Sequence, residues 1–352
     1  MLRTAVIGAA GYTGAELVRI LHRHPELSLE MVAARDNAGK RLDSVLPSTL
    51  GVTGVGERVL ETFDPERASE LAKRVDVAFL CLPHAASAKA GKALYDAGVR
   101  VVDLSADFRL KSRETYERTY GGSHPAAELL PIAVYGLPEL NRKALEGARL
   151  IAAPGCFPTS AILPLFPLLQ AGLIAKTGIV IDSKSGVSGA GRTPGQAYHL
   201  PETAEGIRAY KVAGAHRHVP EIEQELSRAA GAELNVVFTP HLAPMTRGIL
   251  STTYAQLEAG ATEDDCRAAA RKLYEQGLVS VLDAGVLPDT LWVRGSARAH
   301  IAYAVDQRTR TVIAIGAIDN LARGASAQAV QALNVAMGWP DATGLPEIAQ
   351  FP

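Results

Sequence analysis

Apolar positions along the chain fall into two patterns, short unbroken runs and stripes of helical period. Arg3–Ile7 reads as a buried strand. Tyr12–His24 reads as a helix with Leu17, Ile20, Leu21 and His24 on one stripe and Pro25 just past its end. Leu27–Ala34 is the second predicted strand. Val75–Leu82 is a continuous apolar run, as expected of a strand covered on both faces. Ser87–Ala97 reads as a helix stopped by Gly98, and Val99–Leu104 as the next strand. This alternation predicts a parallel sheet with crossover helices.

After about Ala152 the pattern changes. Helical stripes recur at Phe157–Leu169, Glu221–Ala230 and Thr262–Gln276, with strand runs at Ile179–Asp182, Leu234–Thr239 and Ile249–Leu257 between them. Ala299–Asp306 and Thr311–Ile318 flank the polar turn Gln307–Arg310 and read as a hairpin. Adjacent strands without crossovers predict an α+β domain, its sheet largely antiparallel with helices on one face. A last helix spans Ser326–Met337.

Composition narrows the function classes. The chain has 352 residues, 47% of them hydrophobic, enough for two domains of ordinary size. A net charge of −1 and the lack of a long basic run leave nucleic-acid and polybasic membrane binding without support. No apolar segment is long enough to span a bilayer. The opening stretch lacks the long apolar centre of a signal peptide and soon reaches Glu16. The 3 cysteines, none in a CxxC pair, form neither a disulfide framework nor a zinc site. Their sparse, odd count fits a reducing cytosol, so a cytoplasmic protein without a metal is expected.

Gly8, Gly11 and Gly14 fall between the first strand and first helix, with Tyr12 and Thr13 opening that helix. Glycines there permit a tight turn and close backbone approach to a pyrophosphate, and a helix N-terminus favours its charge. The spacing is GxxGxxG rather than GxGxxG, and a ligand-free turn is the plainer alternative. Cofactor choice is read about 20 residues further on. Ala34, Arg35 and Asp36 stand there: Arg35 points to a 2′-phosphate, hence NADP, and Asp36 to the ribose hydroxyls of NAD.

The strongest chemical signal is Cys156, in Ala153-Pro154-Gly155-Cys156-Phe157-Pro158-Thr159 ahead of an apolar helical run. A helix N-terminus favours a thiolate, the nucleophilic form of cysteine. Pro158 suits the first turn, whereas Pro164 and Pro167 predict a kinked or short helix. Cys81 reads as core and Cys266 as packing or surface. A proton carrier is offered by His216 and His218, which an extended segment would point the same way, with Arg217 opposite. His84 follows Pro83 at a strand's end, where it either lines a cofactor cleft or is a satisfied turn histidine. Ser185, Ser188 and Gly189 lie in a small-residue turn after a strand, either an anion nest or a surface loop. Ser105 and Arg109 follow another strand. Arg109 there either clamps a phosphate or carboxylate or pairs with Asp103 or Asp107.

Taken together these residues resemble the N-acetyl-gamma-glutamyl-phosphate reductases of arginine biosynthesis. The resemblance rests on Gly8 to Leu17, Leu82-Pro83-His84, Ser105-Ala106-Asp107-Phe108-Arg109, Tyr135 to Leu140, Pro154 to Thr159, the glycine loop 185–191, Gly214 to His218, and Ala317 to Leu321. They occur in order over nearly the whole chain. The resemblance implies the fold of aspartate-semialdehyde and glyceraldehyde-phosphate dehydrogenases. That fold has an α/β Rossmann nucleotide-binding domain over 1–152, rejoined by the C-terminal segment 322–352, and an α+β catalytic and oligomerisation domain over 153–321 with a mainly antiparallel sheet.

It further implies NADP as cofactor, held by Gly8, Gly11, Tyr12, Thr13, Gly14, Ala34, Arg35, Asp36, Pro83, His84, Ser188, Gly189 and Asn320. Cys156 carries over as nucleophile and His216 as acid/base, with Ser105, Arg109, Ser185 and His218 at the substrate. The partners implied are an acyl phosphate, inorganic phosphate and further copies of the chain, as a homotetramer. The lysine-pathway reductases of carrier-linked aminoadipyl phosphate are similar, but their cysteine segment lacks the residues corresponding to Pro154, Phe157, Pro158 and Thr159. A non-catalytic NADP-binding protein and a cysteine hydrolase are the remaining alternatives.

Overall fold

A computed structural model describes residues 1–351. The chain divides into two compact units. The first holds Met1–Pro154 and Ala325–Leu345, and the second holds Gly155–Gly324 with the segment from Pro346 onward.

The first unit is built on a parallel sheet of strands β1 (Leu2–Ile7), β2 (Leu27–Ala33), β3 (Val77–Leu80), β4 (Arg100–Asp103), β5 (Val134–Tyr135) and β6 (Leu150–Ala152). Their order is β2-β1-β3-β4-β6-β5, and every pairing is parallel. All of β3 is buried, which explains its unbroken apolar run. The region between Leu104 and Leu150 carries no pattern readable in sequence, yet it holds β5 and the helices Arg113–Tyr120 and Pro138–Leu145. The first of these helices buries only Tyr116, so it shows no apolar stripe, and β5 is 2 residues long.

The helix Ala327–Ala336 belongs to this unit and is buried along its whole length, including Gln328, Gln331 and Asn334. Buried amides of this kind need partners. Asn334 Nδ2 donates to the carbonyls of Asp341 (3.0 Å) and Thr343 (2.9 Å), and its Oδ1 meets His24 Nε2 at 3.0 Å. Gln331 Nε2 donates to Glu139 Oε1 at 2.9 Å. Gly147 N–H donates to the helix's final carbonyl, that of Ala336.

The second unit contains β7 (Ile179–Ser185), β8 (Arg208–Ala209), β9 (Val236–Leu242), β10 (Ile249–Gln256), β11 (Val279–Val281), β12 (Ala299–Asp306) and β13 (Thr311–Ile318), in the order β11-β12-β13-β10-β7-β9-β8. The sheet is mixed: the pairings β10–β13, β10–β7, β12–β13 and β8–β9 are antiparallel as expected, while β7 pairs parallel with β9, and β11 with β12. The helix Val219–Ala230 lies between β7 and β9 in sequence, and a crossover of that kind joins parallel neighbours. The predicted hairpin of β12 and β13 forms in full antiparallel register, from Ala299 opposite Ile318 to Asp306 opposite Thr311. Ile179, Ile181, Ser183 and Ser185 of β7 are buried, while Val180, Asp182 and Lys184 between them are half-buried.

The cysteine helix departs from its sequence reading. It runs unbroken from Cys156 to Gln170, so it is not short, and Pro164 and Pro167 lie inside it. Pro167 has no N–H for the carbonyl of Leu163, but the buried Tyr274 hydroxyl donates to that oxygen at 2.7 Å. Tyr303 hydroxyl donates to the next carbonyl, that of Pro164, at 2.9 Å. Tertiary donors thus replace a missing helical one, a compensation that helix propensity does not register.

Candidate active site

Each unit carries one set of candidate groups. In the first, β1 runs straight into the glycine turn. Gly8 has φ +96°, and a Cβ there would stand 2.3 Å from the carbonyl oxygen of Cys81. A Cβ on Gly14 would stand 2.5 Å from Gly8 O. Only glycine permits this close folding of the turn. The helix Tyr12–Leu21 then starts from Gly11 with no side-chain cap. A helix start left without a capping side chain, beside a turn with glycine at its tightest approaches, fits the pyrophosphate of a dinucleotide. Thr13 O accepts from the Ser326 hydroxyl at 2.9 Å, and Tyr12 is exposed.

At the end of β2, Ala34 is buried, and Arg35 and Asp36 enter a short 3₁₀ turn. Arg35 Nε and Asp36 Oδ1 pair at 3.3 Å with side chains 88% and 83% exposed. So exposed a pair holds Arg35 only weakly.

Beyond β3, Pro83 and His84 are exposed, and the His84 ring lies 5.5 Å from that of Tyr120. Ala85 next to it has φ +64°, a strained value for a residue with a side chain. Asp107 holds this turn in place. Its carboxylate accepts from Ala85 N–H at 3.0 Å, Ala88 N–H at 2.6 Å and the Tyr116 hydroxyl at 2.7 Å. It thereby caps the helix Ala86–Asp96 from a distant loop.

Ser105 and Arg109 are both buried and both engaged. Ser105 donates through N–H (3.0 Å) and hydroxyl (2.7 Å) to Asp103, which also accepts from Ser87 at 2.5 Å. Burial, with the nearby Asp107 charge, pushes the Asp103 carboxyl up to about 6 against the opposing hydrogen bonds. Arg109 donates to the carbonyls of Ala153 (2.8 Å) and Leu104 (2.9 Å), so part of its fork braces the backbone just ahead of Pro154.

In the second unit Cys156 is the first residue of its helix, after Gly155 in extended conformation, and is half-buried. Gly155 N–H donates to the buried Glu221 carboxylate at 2.8 Å. The helix start therefore offers one donor fewer than its sequence implies. Phe157 connects the thiol to the histidines: its ring lies 5.4 Å from His216, edge-on, and 6.1 Å from His218.

His216 and His218 rings lie 4.9 Å apart, but not through an extended segment. Residues 211–218 form turns, Lys211 and Ala213 have positive φ, and His218 immediately precedes the helix Val219–Ala230. The backbone N–H of His218 donates to His216 Nδ1 at 3.1 Å, and this local bond makes the turn. Arg217 is exposed, while both histidines are buried. Burial, reinforced by the Lys211 and Arg217 charges, pushes His216 down to about 4. With Nδ1 accepting, the neutral ring carries its proton on Nε2.

Tyr210 went unnoticed in sequence. Its ring lies 5.6 Å from His216, and burial together with the Cys156 charge raises its hydroxyl. It stands alone after the 2-residue strand β8, so no motif marks it.

Ser185, Ser188, Gly189 and Asn320 come together around one turn. Asn320 Nδ2 donates to the Ser188 hydroxyl at 2.9 Å, and its Oδ1 accepts from Gly248 N–H at 2.7 Å. Ser185 hydroxyl donates to Gly186 O at 3.0 Å. A Cβ on Gly189 would meet Ser185 Oγ at 3.4 Å and Asn320 Nδ2 at 3.7 Å. The turn is an ordered 3₁₀ segment, Val187–Ala190, rather than a loose loop. Cys266 is fully buried, with its thiol pushed up to about 12 by burial. Burial also raises the Cys81 thiol. Among the described residues, no group of three or more His, Cys, Asp or Glu side chains gathers to hold a metal.

Two family models match the chain, one described as "Semialdehyde dehydrogenase, NAD binding domain" over residues 3–148 and one as "Semialdehyde dehydrogenase, dimerisation domain" over residues 156–320. The chain is 47% identical over 352 residues to an N-acetyl-gamma-glutamyl-phosphate reductase of Magnetococcus marinus, covering 100% of this chain and 99% of that one. It is 48% identical over 353 residues to the protein of that name from Geobacter sulfurreducens, covering 100% of both. Among solved structures, aspartate semialdehyde dehydrogenase II of Vibrio cholerae, complexed with ASA, superposes with a TM-score of 0.70 at 16% identity, covering 96% of this chain and 98% of that one. The Candida albicans aspartate semialdehyde dehydrogenase with NADP gives 0.68 at 16% identity, covering 95% and 98%. These structural likenesses establish the fold.

Proposed function

The chain belongs to the N-acetyl-gamma-glutamyl-phosphate reductase family, and from that premise we propose that it reduces N-acetyl-L-glutamyl 5-phosphate with NADPH through a thioester on Cys156. The products are N-acetyl-L-glutamate 5-semialdehyde and phosphate, in arginine biosynthesis in the cytoplasm. The observation that carries the reading is the buried, neutral His216 packed against Phe157, the residue next to the thiol.

The Cys156 thiolate attacks the acyl-phosphate carbonyl. A C–S bond forms, the C–O bond to phosphorus breaks, and phosphate leaves with that electron pair. NADPH held at the glycine turn would supply the hydride, hence 2 electrons, that reduces the thioester carbonyl carbon. His216 donates a hydrogen bond from Nε2–H to the oxygen as negative charge develops there, and keeps that proton when the C–S bond breaks and the aldehyde departs. Donors placed at such an oxyanion commonly supply the largest single share of catalysis. His218 and Ser185 serve the substrate, with Ser105 and Arg109 shaping its surroundings. Tyr210 stands where it borders the same chemistry.

Gly8, Gly11, Tyr12, Thr13 and Gly14 would hold the dinucleotide's pyrophosphate, with Pro83 and His84 flanking it and Ala34 and Asp36 at the ribose. Ser188, Gly189 and Asn320 would border the nicotinamide. Asp36 already has Arg35 as a partner, and the weakness of that pair leaves Arg35 free to turn to a 2′-phosphate. Arg35→Ala is therefore expected to raise the dissociation constant for NADPH far more than that for NADH. Equal weakening of both, in fluorescence titrations, would remove this reading of Arg35.

The chain acts as a homo-oligomer, with a tetramer as the expected state. The half-buried and exposed alternate positions of β9 and β10, Val237 and Tyr254 among them, offer a surface for a second copy. Sedimentation of the full chain reads the number of subunits. The reaction itself is tested in reverse, by NADPH formation from N-acetylglutamate semialdehyde, NADP and phosphate. Formation that requires phosphate is expected. Formation without phosphate would exclude the acyl-phosphate route, and turnover of only a carrier-linked aminoadipate analogue would move the chain to the lysine branch.

A further inference from the structure

We propose that Gly324 is a positioning residue for Cys156: the backbone of the turn Ala322–Ser326 lies directly against the Cβ that carries the nucleophilic sulfur, at a separation only glycine permits. A Cβ built on Gly324 stands 2.7 Å from Cys156 Cβ, 3.2 Å from Cys156 Cα and 3.3 Å from Ile318 Cδ1. The first two contacts cannot be relieved by a rotamer change. They involve the root of the side chain and the backbone of the first residue of a helix that is buried from Phe157 to Leu169. Gly324 has no need of a left-handed φ, so close approach alone accounts for glycine here.

The opposing surface is equally fixed. Ala322–Ser326 is a π-helical turn, closed where Gly324 N–H donates at 2.8 Å to the carbonyl of Asp319, five residues back. Such turns are rare and occur disproportionately at functional sites. Asp319 is fully buried and anchors the turn through its side chain. It accepts from Leu321 N–H (2.9 Å), Ala322 N–H (2.8 Å) and Gly295 N–H (2.6 Å), and takes both prongs of Arg247 at 2.8 and 2.9 Å. Neighbouring Asn320 ties the same segment to Gly248 and Ser188. A five-residue turn held by a bidentate arginine pair thus presses a bare backbone onto the thiol's root. The turn sets where the sulfur stands without touching the substrate.

The inference rests on Cys156 being the nucleophile, and its test is chosen to separate the two claims. Gly324→Ala is made in the full chain, and alkylation of Cys156 by iodoacetamide is followed by mass across a range of pH. Turnover and NADPH affinity are measured beside it. The raised thiols of Cys81 and Cys266 keep the alkylation signal specific. Because misplacement by about 1 Å costs on the order of 10²-fold in rate, kcat is expected to fall about 10- to 100-fold. Alkylation slows and its pH midpoint moves, while NADPH affinity holds.

A folded variant with wild-type alkylation and wild-type kcat overturns the proposal, and so does one that loses only melting temperature. If Gly324→Ala does not fold, it is combined with Cys156→Gly, which removes the opposing Cβ. Recovery of folding upholds the contact, and continued failure overturns it. Wild-type chain that alkylates at Cys156 but turns over no acyl phosphate defeats the reductase reading alone, since the alkylation comparison needs no turnover.

Discussion

Cys156→Ala abolishes turnover, by about 10⁴-fold or more, and leaves NADPH binding intact. The loss is this large because no other thiol can take over. Cys266 is fully buried with its thiol pushed up to about 12, and the Cys81 thiol is raised by burial in the other unit. Alanine retains the Cβ that meets Gly324, so the helix start and the π-helical turn keep their packing. The glycine turn proposed for the dinucleotide lies in the first unit and is untouched by the change. Steady-state rates, paired with fluorescence titration of NADPH, check both halves. Substantial residual activity would exclude the covalent route, and loss of NADPH binding would mean that Cys156 does more than nucleophilic work.

His216→Asn is expected to lower kcat by about 10²- to 10⁴-fold with little change in KM. Asparagine keeps an oxygen that can accept the His218 N–H, so the turn survives while the Nε2 proton is lost. The same residue links stability to pH. Burial first, then the Lys211 and Arg217 charges, bring His216 from its ordinary 6.5 down to about 4. Between those values the unfolded chain binds the proton and the folded chain does not. The folded state is therefore at full advantage above about 6.5 and loses it as pH falls towards about 4, on the order of 3 kcal/mol. Melting curves of wild type should weaken through that window, and those of His216→Asn should weaken less. Identical acid sensitivity in the two chains would show that His216 is not held neutral by its surroundings.

The elements legible in sequence are those with an unbroken or strictly periodic apolar pattern. β3, β12 and β13 and the helix after the glycine turn all have one. What long-range partners decide is not legible in the sequence: the helix at Phe157–Leu169 and the strands at Ile179–Asp182 and Leu234–Thr239 are readable, their continuity and pairing are not. Helix Cys156–Gln170 survives Pro167 because Tyr274, more than a hundred residues away, donates to the carbonyl left without a partner. The parallel pairing of β7 with β9 depends on where the Val219–Ala230 helix crosses, which strand periodicity does not encode. In the candidate site the motif residues were legible by type. Their partners were not: Asp107 capping a remote helix, Glu221 on Gly155, Tyr210 beside His216, and Gly324 against Cys156. Each of these acts through a contact in space, with nothing adjacent in sequence to mark it.

The helix Ala327–Ala336 lies buried in a unit whose six strands are complete by Ala152. During synthesis, the first six strands therefore leave the ribosome long before the helix that packs against β4 and β6. With translation at about 5–20 residues per second, that interval lasts on the order of 10 seconds or more. The nascent first unit must wait with an apolar surface uncovered until the codons of Ala327–Ala336 are read. Premature termination anywhere after Pro154 and before Ala327 would release a chain lacking the helix that completes its first unit, a natural substrate for chaperones and proteases.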